Sequence, residues 1–350
     1  MRILYGVVGE GMGHATRSRM VLDHLYEAGH ELIIVASQRA FTFLDKRFGD
    51  RERVHVQEIH GLHLTYEDNV LDVGRSVLSN LGKAPEAIAR NIAAYFDVKR
   101  EAPKPDVVIS DFESWAFFYG LNHYLPVISI DNMQIINRCT HPAEITEDPD
   151  FQLAKAAVKA KLPGASHYLI TTFFYPEVRK ERTTLVPPIL RSEVLAARRE
   201  VQEHVLVYQT ASSNEALIPL LQSLPGRFRL YGMGRDAEVG NVSLRAFSET
   251  GFIDDLRTAR AVLAGGGFSL MSEAVHLGVP MYAVPIQGQY EQELNARYLQ
   301  RLGYGDWGVA FDRDRIVAFL ESAPETTSYR PVDNARMFAV LDEVLRLAVT

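Results

Sequence analysis

Three groups of residues in this chain have the types and spacing for chemistry. The first is Gly265, Gly266 and Gly267, followed by Phe268 and Ser269 and then by Glu273. Glycines let a backbone approach a ligand closely, and the free N–H groups of a helix start suit a phosphate. Ser269 adds a hydroxyl donor. Glu273 falls about one helical turn further along the same face, where it can accept bonds from ribose hydroxyls. The second group, Gln289, Glu291, Gln292 and Asn295, offers polar partners for sugar hydroxyls. The third is His14, which closes the loop Gly9-Glu10-Gly11-Met12-Gly13, with Asp111 as its prospective partner. A neutral imidazole can take a proton from a hydroxyl near pH 7, and a carboxylate can orient it.

Each group also has a structural reading. Glycine-rich strand-to-helix turns serve packing as well as ligands. His14 can equally be a helix-capping or packing histidine. Asp111 can equally cap the helix that begins FESWAFF, with Glu113 beside it. The first loop also suggests dinucleotide binding, but its last glycine is misplaced for G-x-G-x-x-G, and Ser37-Gln38 stands where an acidic residue should end the second strand.

The elements that must position these residues follow a βα rhythm. A strand over residues 3–8, a helix to about residue 28 and a strand over 31–36 form a βαβ unit. Strands at 107–110 and 125–131 put Asp111 and Asn132, with Gln134 and Asn137, at the C-terminal edge where open α/β sheets bind ligands. Residues 38–97 are the least readable; Leu62, Leu64, Tyr66, Leu78 and Leu81 are either core or the wall of an acceptor groove, and His60 and His63 lack a third metal ligand. The charged, Pro-Pro-containing stretch near residues 186–191 suggests a solvated hinge. A new strand at 205–208 then leads to Thr210, Ser212 and Ser213, which either cap a helix or donate to a diphosphate. The strand 259–264 precedes the glycine turn, FIDD reads as the loop before an amphipathic helix, and a last amphipathic helix begins near residue 333.

Composition narrows the classes. The 350 residues, 47% hydrophobic, suffice for two packed α/β domains. A net charge of −7 and a pI near 5.9 argue against a nucleic-acid partner. A lone cysteine, Cys139, suits the cytoplasm, and no apolar run approaches membrane-spanning length. Asp148-Pro149-Asp150 and Asp312-Arg313-Asp314 have the D-x-D form of a metal site, but both read as turns or helix starts, so no metal is expected.

FIDD, GG-x-S-x-x-x-E-A, GVP, a Gln-rich loop and Asn-Ala, in that order over about fifty residues, resemble the C-terminal half of GT-B nucleotide-sugar glycosyltransferases. The likeness is to the peptidoglycan lipid-intermediate N-acetylglucosaminyltransferase and to natural-product UDP-glycosyltransferases. In the latter a histidine often stands where Gly265 is here. The resemblance implies two facing Rossmann-like, doubly wound domains with a cleft between them: an acceptor domain over 1–187, a donor domain over 188–332, and a final helix in 333–350 that packs back on the first. It implies an inverting, metal-independent, cytoplasmic transferase needing no cofactor beyond a nucleotide-sugar co-substrate, UDP first, then dTDP and GDP.

In that frame His14 and Asp111 are catalytic. Gly11, Met12, Gly13 and Asn132 meet the acceptor. Thr210, Ser212, Ser213, Phe252, Ile253, Gly266, Gly267, Phe268, Ser269, Glu273, Gln289, Glu291 and Gln292 hold the donor, with the backbone at Phe252 and Ile253 receiving the base. The acceptor is a lipid-linked, peptide or small-molecule hydroxyl, and a lipid-linked one brings peripheral membrane contact. A nucleotide-sugar epimerase of the same fold and a non-catalytic binding protein are the alternatives.

Overall fold

The computed structural model describes residues 1–9, 12–61, 84–101, 104–209, 215–329 and 332–349, and the backbone of 65–67 and 70–72. Gly11, Thr210, Ser212, Ser213, His63, Leu62, Leu64, Leu78, Leu81 and the Tyr66 side chain lie outside that description. The chain divides into two compact units, one of residues 1–64, 73–191 and 333–350, the other of 65–72 and 192–332.

The first unit is built on a seven-stranded sheet ordered Val54–Glu58, Glu31–Ala36, Arg2–Val7, Val107–Asp111, Val127–Asp131, His167–Thr171, Thr183–Val186. Every neighbouring pair is parallel. Its central strands, such as LIIVA and VVISD, are apolar and buried nearly throughout, because helices cover both faces of a parallel sheet. Strand order reverses between Arg2–Val7 and Val107–Asp111. At such a switch point the two following loops diverge and leave a crevice at the strands' C-terminal ends. The register pairs Val7 with Asp111, so the loop that leads to His14 and the Asp111 carboxylate emerge side by side.

The Met12–Glu27 helix buries Val21, Leu22 and Leu25 against Ile3, Tyr5 and Ile34, and the Ala335–Ala348 helix adds Met337, Leu341, Val344 and Leu345 to the same core. Those last four recur at helical spacing, which is why this segment folds as an amphipathic helix onto an apolar surface.

The Pro-Pro stretch corrects the reading of a solvated connection. Thr183–Val186 is an edge strand, and residues 186–191 are all buried. The prolines have no N–H to satisfy, and Asn334 serves the next backbone group: its Oδ1 accepts from the Leu190 N–H (2.9 Å) and its Nδ2 donates to the Leu190 carbonyl (2.7 Å).

The second unit has its own seven-stranded sheet, ordered Ala237–Val239, Val242–Arg245, Arg227–Tyr231, His204–Tyr208, Ala261–Ala264, Met281–Ala283, Gly305–Trp307. Only the Ala237–Val239 strand runs antiparallel to its neighbour. The order reverses between His204–Tyr208 and Ala261–Ala264, and the glycine turn follows directly at that edge. FIDD is not a loop: it lies inside the Glu249–Thr258 helix, started by Ser248, whose hydroxyl accepts from the Gly251 N–H.

Replacing Asn334 by Ala leaves both Leu190 groups unpaired in a buried setting, and urea denaturation should read a loss of about 2 kcal/mol. A loss below about 0.5 kcal/mol, the level of an ordinary surface change, would contradict this reading of the connection.

Candidate active site

Asp111 is fully buried at the end of its strand, and four contacts converge on its carboxylate. His14 Nδ1 lies 2.8 Å from Oδ1. Arg17 grips both oxygens, through Nε to Oδ2 at 2.9 Å and through Nη2 to Oδ1. The Ser18 hydroxyl donates to Oδ2 at 2.7 Å, with Tyr5 OH donating to Ser18 in turn. His14, Arg17 and Ser18 are spaced to share one helix face, so the Met12–Glu27 helix offers three partners to one carboxylate. Arg17 Nη1 continues to Asn132 Oδ1 at 3.1 Å, on the next strand end.

Asp111 does not cap the following helix. Phe112 adopts a left-handed backbone (φ 53°), and the chain turns there so that Glu113 accepts from the Trp115 and Ala116 N–H groups at 2.8 and 2.7 Å. The Asp111 carboxylate is thereby left to His14 and Arg17.

These contacts set the charges. Burial pushes Asp111 up, but Arg17 and His14 outweigh it and hold the carboxyl far below the usual range. His14 is held below its ordinary value by burial and then by the Arg17 charge, with Asp111 pulling the other way. Its side chain keeps 22% of its surface exposed, so the imidazole is open to an incoming group. Asp131, one strand over, is pushed up to about 6 by burial, although Ser129 Oγ (2.6 Å) and the Gln134 N–H (2.8 Å) both bond it.

Among the predicted residues, Met12 and Gly13 occupy the first turn of the His14 helix, and Asn132 joins the cluster through Arg17. Gly9 does not open the loop for access: a Cβ there would sit 2.1 Å from Ser37 Oγ, so it serves the packing of two sheet-edge loops. Arg17 and Ser18 were not anticipated. The signal was present as His-x-x-Arg-Ser, the spacing of helix neighbours.

In the second unit the glycine turn and the Tyr290–Arg301 helix are laced together. Gln292 Oε1 accepts from the Gly266 N–H (3.0 Å) and the Ile286 N–H (3.1 Å), and Asn295 Nδ2 donates to the Gly266 carbonyl (3.1 Å). Gln292 Nε2 donates to Gln289 Oε1, and Asn295 also donates to Glu291 Oε1. Gly266 and Gln292, both expected as ligand groups, thus bond each other, and Gln292 also reaches Gln289. A Cβ on Gly266 would meet the Gln292 carbonyl at 2.3 Å, whereas one on Gly267 would meet nothing within 4 Å.

Gly267 then caps the Phe268–Leu277 helix without a side-chain bond, placing Phe268 and Ser269 in its first turn and Glu273, buried, one turn further. Phe252 and Ile253 lie inside the Glu249–Thr258 helix. The Phe252 N–H bonds the Ser248 carbonyl at 2.8 Å within the helix. The Phe252 ring packs edge-on to Tyr231 and Tyr208, at 5.0 and 5.8 Å.

The first aspartate of each D-x-D caps a helix, Asp148 accepting from the Asp150 N–H and Asp312 from the Arg315 N–H, while Asp150 and Asp314 sit in the first turns. No helix among the described residues is long and apolar enough to cross a membrane. A groove of about 460 Å³ in the first unit is lined by Ile88, Asn91, Ile92, Tyr95, Phe96 and Trp115, with Trp115 four residues past Asp111.

Known proteins resemble this chain along its length. The profile of a family described as glycosyl transferase family 1 matches residues 1–324. An uncharacterized glycosyltransferase of Methanosarcina acetivorans is 25% identical over 336 residues, 87% of this chain and 85% of that protein. One from Methanosarcina mazei is 24% identical over 341 residues, with the same shares. Among solved structures, Arabidopsis thaliana UGT89C1 complexed with UDP superimposes with a TM-score of 0.67 at 15% identity over the whole of both chains. The glycotransferase of kitacinnamycin gives 0.63 at 16%, over 99% of this chain and 95% of that one.

The two adjacent glycines should respond differently to a methyl group. Gly266→Ala forces the turn off Gln292 and should lower stability by about 1–3 kcal/mol, the range for overpacking, while Gly267→Ala should leave the melting temperature nearly unchanged. Equal melting temperatures for the two variants would contradict the lacing described.

Proposed function

The chain belongs to glycosyl transferase family 1 and is a glycosyltransferase of the GT-B fold, and on that premise we propose that it moves a sugar from a UDP-sugar to an acceptor hydroxyl, with inversion and without a metal ion. The observation that carries the reading is the contact of His14 with Asp111 at the switch point of the first sheet.

His14 Nδ1 faces an ionised carboxylate, and two lone pairs 2.8 Å apart would repel. Arg17 Nη2 also stands 2.8 Å from Nδ1 but gives its proton to Asp111 Oδ1, so in this reading Nδ1 carries a proton donated to the carboxylate and Nε2 keeps the lone pair that accepts. The acceptor O–H gives its proton to Nε2 as the oxygen forms its bond to the anomeric carbon. The bond from that carbon to the UDP oxygen breaks, and its electron pair leaves with the diphosphate. Attack opposite the leaving group inverts the centre.

In the second unit the first turn of the Phe268–Leu277 helix, with the Ser269 hydroxyl, is the seat proposed for that diphosphate. The positive end of the helix dipole at that turn favours the charge that grows there. Glu273, Gln289 and Glu291 remain candidates for the ribose and sugar hydroxyls. Metal independence is part of the same reading: the first aspartate of each D-x-D, Asp148 and Asp312, caps a helix. UDP is favoured because UGT89C1 was solved with it. The apolar groove beside Trp115 is the proposed seat for the non-polar part of the acceptor. The lone cysteine suits a cytoplasmic setting.

The test is His14→Ala. UDP affinity by calorimetry, in buffer with EDTA, should be unchanged, while turnover of a UDP-sugar should fall about 10²–10⁴-fold, the usual size of general-base catalysis. Turnover within about tenfold of wild type would remove His14 from the chemistry.

A further inference from the structure

Although the whole chain carries a net charge of −7, residues 151–182 hold six lysines and arginines against two glutamates. The folded first unit draws several of these cations together around the short helix Ile135–Arg138, directly after the strand that ends in Asp131. Arg179 Nη2 donates to the Asn137 carbonyl at 2.9 Å, and Lys180 Nζ donates to Asn137 Oδ1 at 2.6 Å. Two cations thus share one neutral residue.

The Pro149–Lys161 helix lies against the same place, since Gln134 Nε2 donates to the Val158 carbonyl and Asn137 Nδ2 to Gln134 Oε1. That helix carries Lys155 and Lys159 one turn apart. Arg138, next to Asn137, is spent on packing: its guanidinium stacks over Tyr168 at 3.7 Å and bonds Thr183 Oγ1.

Among the described residues, none of Lys155, Lys159, Arg179 and Lys180 pairs with a carboxylate, and Glu177 and Glu181 nearby in sequence form no ion pair with them. The cations therefore repel one another. Lys180 is pushed down by burial and then by the charges of Arg179, Arg138, Lys159 and Lys155, and Lys155 by burial and Arg179. A fold that gathers unpaired like charges carries a cost that a bound anion removes.

The cluster also leads to the catalytic residues. Lys161 ends the same helix, and its ammonium stands 4.1 Å from the ring centre of Phe112, the residue after Asp111. From Lys155 to Lys161 the helix rises about 9 Å, roughly the length of a small ligand.

We propose that Arg179, Lys180, Lys155 and Lys159 form a seat for a phosphate group carried by the acceptor. This rests on the reading of the first unit as the acceptor side of a glycosyltransferase. Each ammonium or guanidinium gives a charge-assisted bond to a phosphate oxygen, which for Arg179 and Lys180 replaces the neutral Asn137 acceptor. The phosphate belongs either to a small phosphorylated acceptor or to a lipid headgroup.

UDP affinity of the full chain is measured first, and its absence would fail the functional reading itself. With UDP saturating, so that the donor seat is filled, inorganic phosphate is then titrated by calorimetry into wild type and into Arg179→Gln/Lys180→Gln. Both side chains reach the surface, so the variant should fold and keep its UDP affinity. Phosphate affinity should drop about tenfold or more with two charge-assisted contacts removed. A single-site variant, Lys159→Gln, should show a smaller loss in the same direction and guards against a misfolded double variant.

Co-sedimentation separates the sources. Binding to phosphatidylglycerol vesicles over phosphatidylcholine vesicles, lost in the double variant, assigns the phosphate to a lipid; phosphate binding without vesicle binding assigns it to a free acceptor. Phosphate affinity equal in wild type and both variants, with UDP binding intact, would overturn the seat.

Discussion

The first unit depends on one buried negative charge. Asp111 has no exposed surface, and a carboxylate in that position costs several kcal/mol unless it is paired and hydrogen-bonded. One face of the Met12–Glu27 helix supplies the compensation, with the guanidinium of Arg17, the hydroxyl of Ser18 and the imidazole of His14. Satisfying that charge fixes the rotation of the helix over the sheet, and with it the direction of His14. The partner carboxyl one strand over makes the comparison. Asp131 is as deeply buried and has two hydrogen bonds, yet without a guanidinium bonded to it burial pushes it up to about 6. Arg17 is what keeps Asp111 ionised, and burial, with the same charge behind it, holds His14 toward its neutral form.

The second unit solves a different problem, that of holding a glycine-rich turn in one shape. Here the device is neutral. Gln292 collects the N–H groups of Gly266 and Ile286 on one oxygen, and Asn295 takes the Gly266 carbonyl, so the loops after two adjacent strands are fixed to one helix. Spending those groups inside the protein fixes the turn that starts the Phe268–Leu277 helix. A preorganised set of N–H groups stabilises a growing anion without reorganising at the moment of reaction.

Much of this was legible in the sequence, and the exceptions share a cause. Buried parallel strands announce themselves as apolar runs, and a polar residue at the end of such a run falls at the ligand edge by geometry alone, which is how Asp111 could be found. The family was legible because FIDD, the GG-x-S turn and the Gln-rich loop keep a fixed order. Arg17 was passed over because an arginine on an amphipathic helix ordinarily belongs to the solvated face, and only its burial at 4% exposure shows otherwise. Gln292 and Asn334 were misread or missed because their partners lie 26 and 144 residues away. Composition likewise misjudged residues 186–191, where buried prolines need no donor partner. Side chains that tie distant backbone carry no local pattern, so they become readable only when the fold brings their partners in.

The claim at the centre is that His14 stands neutral, with its proton on Nδ1 facing Asp111 and its Nε2 lone pair free. Titration of the His14 ring nitrogens by NMR tests it most directly. The account predicts a neutral Nδ1–H tautomer and a midpoint below the ordinary imidazole value of about 6.5, because burial and Arg17 both disfavour the charged ring. The base form then fills as pH rises through that lowered midpoint and predominates at neutral pH. A midpoint above about 6.5, or a neutral ring carrying its proton on Nε2, would contradict it.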